Sequence, residues 1–243
     1  MSWGPRDSAY PAYPQPYVIN APARRGLRFS PEEYKHILLA CGALIAAFTL
    51  SFLSPLGGGG PITVARALPI LLGATLAVVT GFFLHELMHK VVAQRYGAWA
   101  EFRSNRSGLI LAIVTGLFGI VFAAPGAVYI AGPLTREQNG RVSLAGPLTN
   151  FVIGLAFTGA WLALALNGFL TTEFGPYLSA VTFFPAYINV FLGAFNMVPI
   201  PPLDGSKVLA WNPAIWIAAL AAIAIVFVGF FLPGLFLPLL SGP

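Results

Sequence analysis

The chain has 243 residues, of which 57% are hydrophobic and only 9% charged, and its mean hydropathy is +0.79. A soluble domain carries roughly 25% charged residues, so composition excludes a soluble globular protein and indicates a polytopic membrane protein. The net charge of +5 does not point to nucleic acid, because the basic residues flank apolar runs, where cations meet anionic lipid headgroups. Cys41 is the sole cysteine, which rules out a disulfide framework or a cysteine zinc site within one chain.

Residues 1–35 read as a Pro/Tyr-rich cytoplasmic tail (Tyr10-Pro11-Ala12-Tyr13-Pro14-Gln15-Pro16-Tyr17) with no apolar core of signal-peptide length, so a cleaved signal is not expected. Ser30-Pro31-Glu32-Glu33 carries the marks of a helix start: a capping serine, proline at the first position and acids in the first turn. A first span is expected over 37–53, followed by a glycine-rich turn over 54–61. A second apolar run, 67–84, leads directly into His85-Glu86-Leu87-Met88-His89. Further spans are expected at 144–166, at 177–198 with a kink at Pro185, and at 214–232, each close to the ~20 apolar residues that cross a bilayer. Residues 109–128 are apolar enough to cross, yet Gly116, Gly119, Pro125 and Gly126 interrupt them.

Charge counting decides how that stretch should run. If 109–128 re-enters or folds as a hairpin without crossing, twelve of the thirteen lysines and arginines fall on one side and only Arg66 on the other, as the positive-inside rule expects. A full crossing would move Lys207 and Asp204 to the face opposite His85 and His89. The expected fold is therefore an all-α polytopic membrane protein: five to six transmembrane helices with a re-entrant or hairpin segment after the second. The expected organisation is a tail at 1–35 and a transmembrane domain at 36–243, with a motif-bearing core at 67–210. The expected location is the cell membrane, with the tail and the His-Glu face cytoplasmic.

Glu86 and Asp204 are the only acids that the sequence places in its apolar bulk; Glu101 and Glu137 are expected in polar loops, and Glu173 on the far side. Ionisable residues at membrane depth are costly and usually functional. Two histidines four residues apart share one helix face and can bind zinc through neutral imidazoles, and the glutamate between them is placed as general base toward a water. Asp204 is the leading candidate for a third ligand; its place before Gly205 also suits a turn, and the two uses are compatible. This pattern predicts hydrolysis of a peptide bond.

Three motifs occur in order: the His85–His89 pentapeptide, Ala145-Gly146-Pro147-Leu148-Thr149-Asn150, and Asn196-Met197-Val198-Pro199-Ile200-Pro201-Pro202-Leu203-Asp204-Gly205. Over about residues 67–210 the chain resembles the site-2 protease family of intramembrane zinc metalloproteases, and the last motif is the most specific. The resemblance implies His85, His89 and Asp204 as ligands of one zinc per chain and Glu86 as catalytic base. It further implies that Asn196 and Asn150 bind substrate or line the cleft; helical spacing has Asn189, seven residues before Asn196, face the same way and adds it to the expected substrate-binding residues. Membrane-protein substrates and the lipid bilayer are the implied partners, with no nucleic acid. A zinc-binding transporter is the alternative, but a carrier places its polar site at the bilayer midplane between repeats, and no repeat is evident. A catalytically silent scaffold is the other, and it has no need of Glu86.

Overall fold

The structure is a computed structural model that describes residues 26–57 and 60–231, so residues 1–25 of the tail expected at 1–35 lie outside the described residues, and 31–35 belong to the first helix. Helix α1 (Pro31–Leu53) begins where the sequence marks it: Ser30 Oγ accepts from Glu33 N at 3.1 Å, and Pro31 occupies the first turn. The chain returns as one 32-residue helical run, Val64–Arg95. This run comprises α2 (Val64–Ala77), a π-helical turn (Val78–Phe83) and α3 (Leu84–Arg95). Then follow β1 (Trp99–Ser104), α4 (Arg106–Leu117), β2 (Gly126–Ala131), α5 (Arg136–Leu166), α6 (Gly175–Asn196), α7 (Asp204–Trp211) and α8 (Pro213–Phe231).

Four helical runs, Pro31–Leu53, Val64–Arg95, Arg136–Leu166 and Gly175–Asn196, are long and apolar enough to cross a membrane. Helix α8 is a shorter apolar helix within the described residues, in the place of the span expected at 214–232. The polytopic all-α expectation stands, with one small sheet added. Strands β1 and β2 pair antiparallel from Trp99↔Ala131 to Ser104↔Gly126.

That pairing settles the path of the doubtful stretch. Ser104 faces Gly126, and Asn105 N donates to Pro125 O at 2.9 Å, so the chain leaves and returns at one point. Between these residues α4 lies along α1, with Ser54 Oγ at the far end of α1 donating to Leu117 O at 2.8 Å. Its outer side, with Ile110, Val114 and Leu117, is apolar and exposed, as a lipid-facing surface should be. Its inner side joins Leu109 and Ala112 to Ala40, Leu44, Ala47, Val78, Phe82 and Phe102 in one core.

Helix α6 lies between α2 and α5, and α3 packs on α5. The first turns of α1, α4 and α5, the last turns of α3 and α6, the β-hairpin and α7 gather at one end of the bundle. Every described lysine and arginine except Arg66 is at that end; Arg66 Nη2 donates to Phe52 O at the other.

Three expectations about acids are corrected. Glu33, expected as an ordinary first-turn acid, is fully buried and paired with Lys90, so the interior holds a third carboxylate besides Glu86 and Asp204. Glu101 lies on β1 and binds Arg103 Nη2 at 2.5 Å. Glu137 lies in the first turn of α5, four residues before its partner Arg141. The reasons differ: Glu33 is buried because Lys90 and a free N–H meet its two oxygens, whereas Glu137 stays largely exposed in a first turn, where the helix dipole favours an acid.

Candidate metal centre

On α3, His85 and His89 project from one face one turn apart, with rings 4.6 Å between centroids and nearly perpendicular. Both are buried. Asp204 opens α7, and its Oδ2 lies 3.4 Å from His85 Nε2 and 3.0 Å from His89 Nε2; the two Nε2 atoms are 3.0 Å apart. These three donors form a compact set of potential metal ligands. Ligands at 2.0–2.1 Å in tetrahedral array stand about 3.3 Å from one another, so the set fits zinc.

The imidazole nitrogens that face away are also engaged. His89 Nδ1 donates to Val142 O at 2.7 Å. His85 Nδ1 donates to Asn150 Oδ1. The Asn150 amide is oriented by its own donors, which reach Gly81 O at 2.8 Å in the π turn and Asn189 Oδ1 at 2.9 Å. Asn189 Nδ2 in turn donates to Thr80 Oγ1 at 3.0 Å and Pro185 O at 2.9 Å. Both histidines are thereby held as the tautomer whose Nε2 is free for a metal, the usual arrangement around metal-binding imidazoles.

Two of the residues expected at the substrate lie in this network: Asn150 and Asn189 are wholly inaccessible, Asn150 bonded to His85 and Asn189 to Asn150. The seven-residue spacing does put Asn189 and Asn196 on one face of α6, but two turns apart; only Asn196 reaches the cavity beside the centre. That cavity is also lined by Glu86, Ser143, Lys207 and the β2 residues Gly126, Val128 and Ile130.

Backbone groups complete the site, and residue type carries no signal for them. Val128 N donates to Glu86 Oε2 at 3.0 Å, while Phe102 N, on the partner strand, donates to Glu33 Oε1 at 3.0 Å. Both N–H groups point out of the sheet, so Phe102–Val128 is the pair type that exchanges no hydrogen bonds. By alternation Gly126, Val128 and Ile130 turn their peptide groups outward, along the cavity wall. The sheet has two strands among the described residues, which leaves this edge of β2 without a neighbouring strand.

Two glycines make the approach of the elements feasible. A Cβ at Gly146 of α5 would stand 2.5 Å from His89 Nε2 and 2.6 Å from His85 Nε2, inside the centre itself. A Cβ at Gly205 would meet the Met197 and Val198 carbonyls, so glycine lets α7 close on the end of α6 and bring Asp204 in. Both belong to motifs visible in the sequence. The turn is held from outside by Trp216 Nε1, which donates to Met197 O at 3.0 Å.

Comparison with known proteins bears on this centre directly. Residues 171–217, the stretch that carries Asn196 and Asp204, match the model of peptidase family M50. The chain is 52% identical over 143 residues to MJ0611 of Methanocaldococcus jannaschii, a stretch covering 58% of this chain and 71% of that protein, whose name assigns it provisionally to the zinc metalloproteases. The chain belongs to peptidase family M50. It is 30% identical over 128 residues to zinc metalloprotease MJ0392 of the same organism, covering 52% of this chain and 30% of that protein. It is 30% identical over 151 residues to YwhC of Bacillus subtilis, provisionally named in the same way, covering 55% of this chain and 66% of that one. No solved structure matches. As an M50 peptidase the chain is a zinc metalloprotease, in agreement with the resemblance to the site-2 protease family.

Proposed function

We propose that this zinc metalloprotease acts within the membrane, hydrolysing peptide bonds inside or next to transmembrane segments of membrane-protein substrates. His85, His89 and Asp204 hold one zinc per chain, and Glu86 is the catalytic base. The observation that carries this reading is that the three donors and Glu86 line one cavity, walled by an open strand edge, at one end of a bundle of membrane-spanning helices. By the charge asymmetry that end faces the cytoplasm of the cell.

The residues divide the work. A helical substrate segment must unwind before its carbonyl becomes accessible, and its freed peptide groups need partners in a site with little water. The outer edge of β2 supplies them: an extended segment laid along it adds a strand by pairing with the outward peptide groups of Gly126 and Ile130, while Val128 N–H stays on Glu86. Zinc, when bound, supplies Lewis acidity toward a carbonyl and toward water. Glu86 takes a proton from the attacking water and delivers it to the leaving amine. Its Oε2 is fixed by Val128 N–H, which leaves Oε1 to receive that proton. Asn196 has one amide N–H on Leu192 O at 3.0 Å and a second to hold the substrate at the cavity.

The test is purified protein in detergent with a panel of transmembrane peptides, cleavage read by mass spectrometry and zinc by elemental analysis. Glu86→Gln keeps shape and metal but cannot accept a proton. Zinc should stay near one per chain while hydrolysis falls about 10²–10⁴-fold, the usual worth of a general base. Full activity in Glu86→Gln would remove it from the mechanism, and zinc-loaded wild-type protein that cuts nothing would end the protease-in-membrane reading.

A further inference from the structure

One pair of charges buried as deeply as the metal centre takes no part in the zinc chemistry. Glu33 Oε2 and Lys90 Nζ are 2.5 Å apart, with both side chains essentially inaccessible. Each has further partners: Glu33 Oε1 accepts from Phe102 N at 3.0 Å, and Lys90 Nζ donates to Ala100 O at 3.0 Å and lies 4.4 Å from the centroid of the Phe29 ring. The pair therefore ties together the start of α1, the turn of α3 just after His89, and β1.

Glu86 and Lys90 are four residues apart, on one face of α3. Glu86 grips the hairpin at Val128 N on one edge, and Glu33, held by Lys90, grips it at Phe102 N on the other. Phe102 and Val128 are cross-strand partners. A single rung of the hairpin is thus clasped from both edges by carboxylates, and all five side chains face one small void. The hairpin cannot slide along α3 without breaking both contacts. Mere stability does not call for such a pair, since replacing both members of a buried ion pair by apolar residues is often neutral.

We propose that the Glu33–Lys90 pair is a positioning device that sets the register of the hairpin against Glu86, and thereby selects which substrate peptide bond meets the base. This rests on the reading that substrate adds to the edge of β2. Side chains alternate along a strand, so a slip that keeps the same face inward moves the bound segment by two residues.

The experiment uses the full chain in detergent and a transmembrane peptide that the wild type cuts at one bond. Glu33→Gln, Lys90→Met, the double variant and Lys90→Arg are compared for zinc content, thermal midpoint, kcat, KM and product masses. With zinc retained, Lys90→Met and the double variant should lose at least tenfold in kcat, with a smaller change in KM. They should also yield new products cut two residues from the wild-type bond. Lys90→Arg keeps the charge and should keep the single bond. If a single variant does not fold, the double, which leaves neither charge unpaired, carries the comparison. A folded double variant that cuts only the wild-type bond at the wild-type kcat overturns the positioning role and leaves the protease reading intact. A wild type that holds zinc and cuts no peptide overturns both.

Discussion

At the scale of single residues, the centre depends on groups other than the candidate ligands themselves. Gly146 is the sharpest case, because any side chain there would occupy the space between the imidazoles. Gly146→Ala should lose zinc and activity together. Gly159→Ala, on the same helix but with open space around its Cβ position, should keep both and gain up to about 1 kcal/mol of stability from helix propensity; equal behaviour of the two variants would show that the close approach at Gly146 is unimportant. Asn150 is the second case. Its removal leaves His85 Nδ1, Gly81 O and Asn189 Oδ1 without their partner in a buried site. Asn150→Ala should weaken zinc binding about 10–100-fold, the usual effect of losing a group that orients a metal ligand, with KM for peptide unchanged at saturating zinc. Competition against a chelator measures the first, and a raised KM alone would return Asn150 to the substrate.

At the scale of elements, the π turn, the hairpin and α7 are small pieces that decide the geometry. The π turn over Val78–Phe83 interrupts an otherwise α-helical run just before His85 and offers Gly81 O to Asn150; such turns often accompany functional sites. The Ser30 cap was readable locally, since capping depends on a few consecutive residues; the capping box of Thr135 and Gln138, which starts α5 eight residues before the span expected at 144–166, was not read from the sequence. The hairpin was not. Its strands are separated by the whole of α4, so pairing of Trp99–Ser104 with Gly126–Ala131 is a long-range event that neither six-residue stretch announces alone. The sequence indicated only that 109–128 should come back without crossing. A helix against α1 with an irregular return is how it does so.

At the scale of the whole molecule, the gathering of cations at the end that carries the centre ties topology to function. Were residues 109–128 to cross, Asp204 could not stand 3.0 Å from His89. Single cysteines at Ser107 and Pro133, both exposed and placed in a Cys41→Ala background, should react with an impermeant thiol reagent from the same side, and that side should be the cytoplasm. Reaction from opposite sides would break the arrangement. Reaction of both from the outside would keep the fold and reverse the proposed orientation.

The sequence by itself determined the membrane class and the residue types able to bind zinc, because these follow from composition and from spacing along a short stretch of chain, and it pointed to the return of 109–128 through charges counted along the whole chain. Only the tertiary structure decided how the asparagines divide. Helical period places Asn189 and Asn196 on one face, but which of them meets the cavity depends on where α5 and the π turn press against α6. The burial of Glu33 was likewise invisible, since a first-turn acid reads as solvated until α3 brings Lys90 and β1 brings Phe102 N–H to its two oxygens. The wall of the cavity was decided last of all, for it is made of peptide groups that every residue carries, and only strand pairing turns those of Gly126, Val128 and Ile130 toward the cavity.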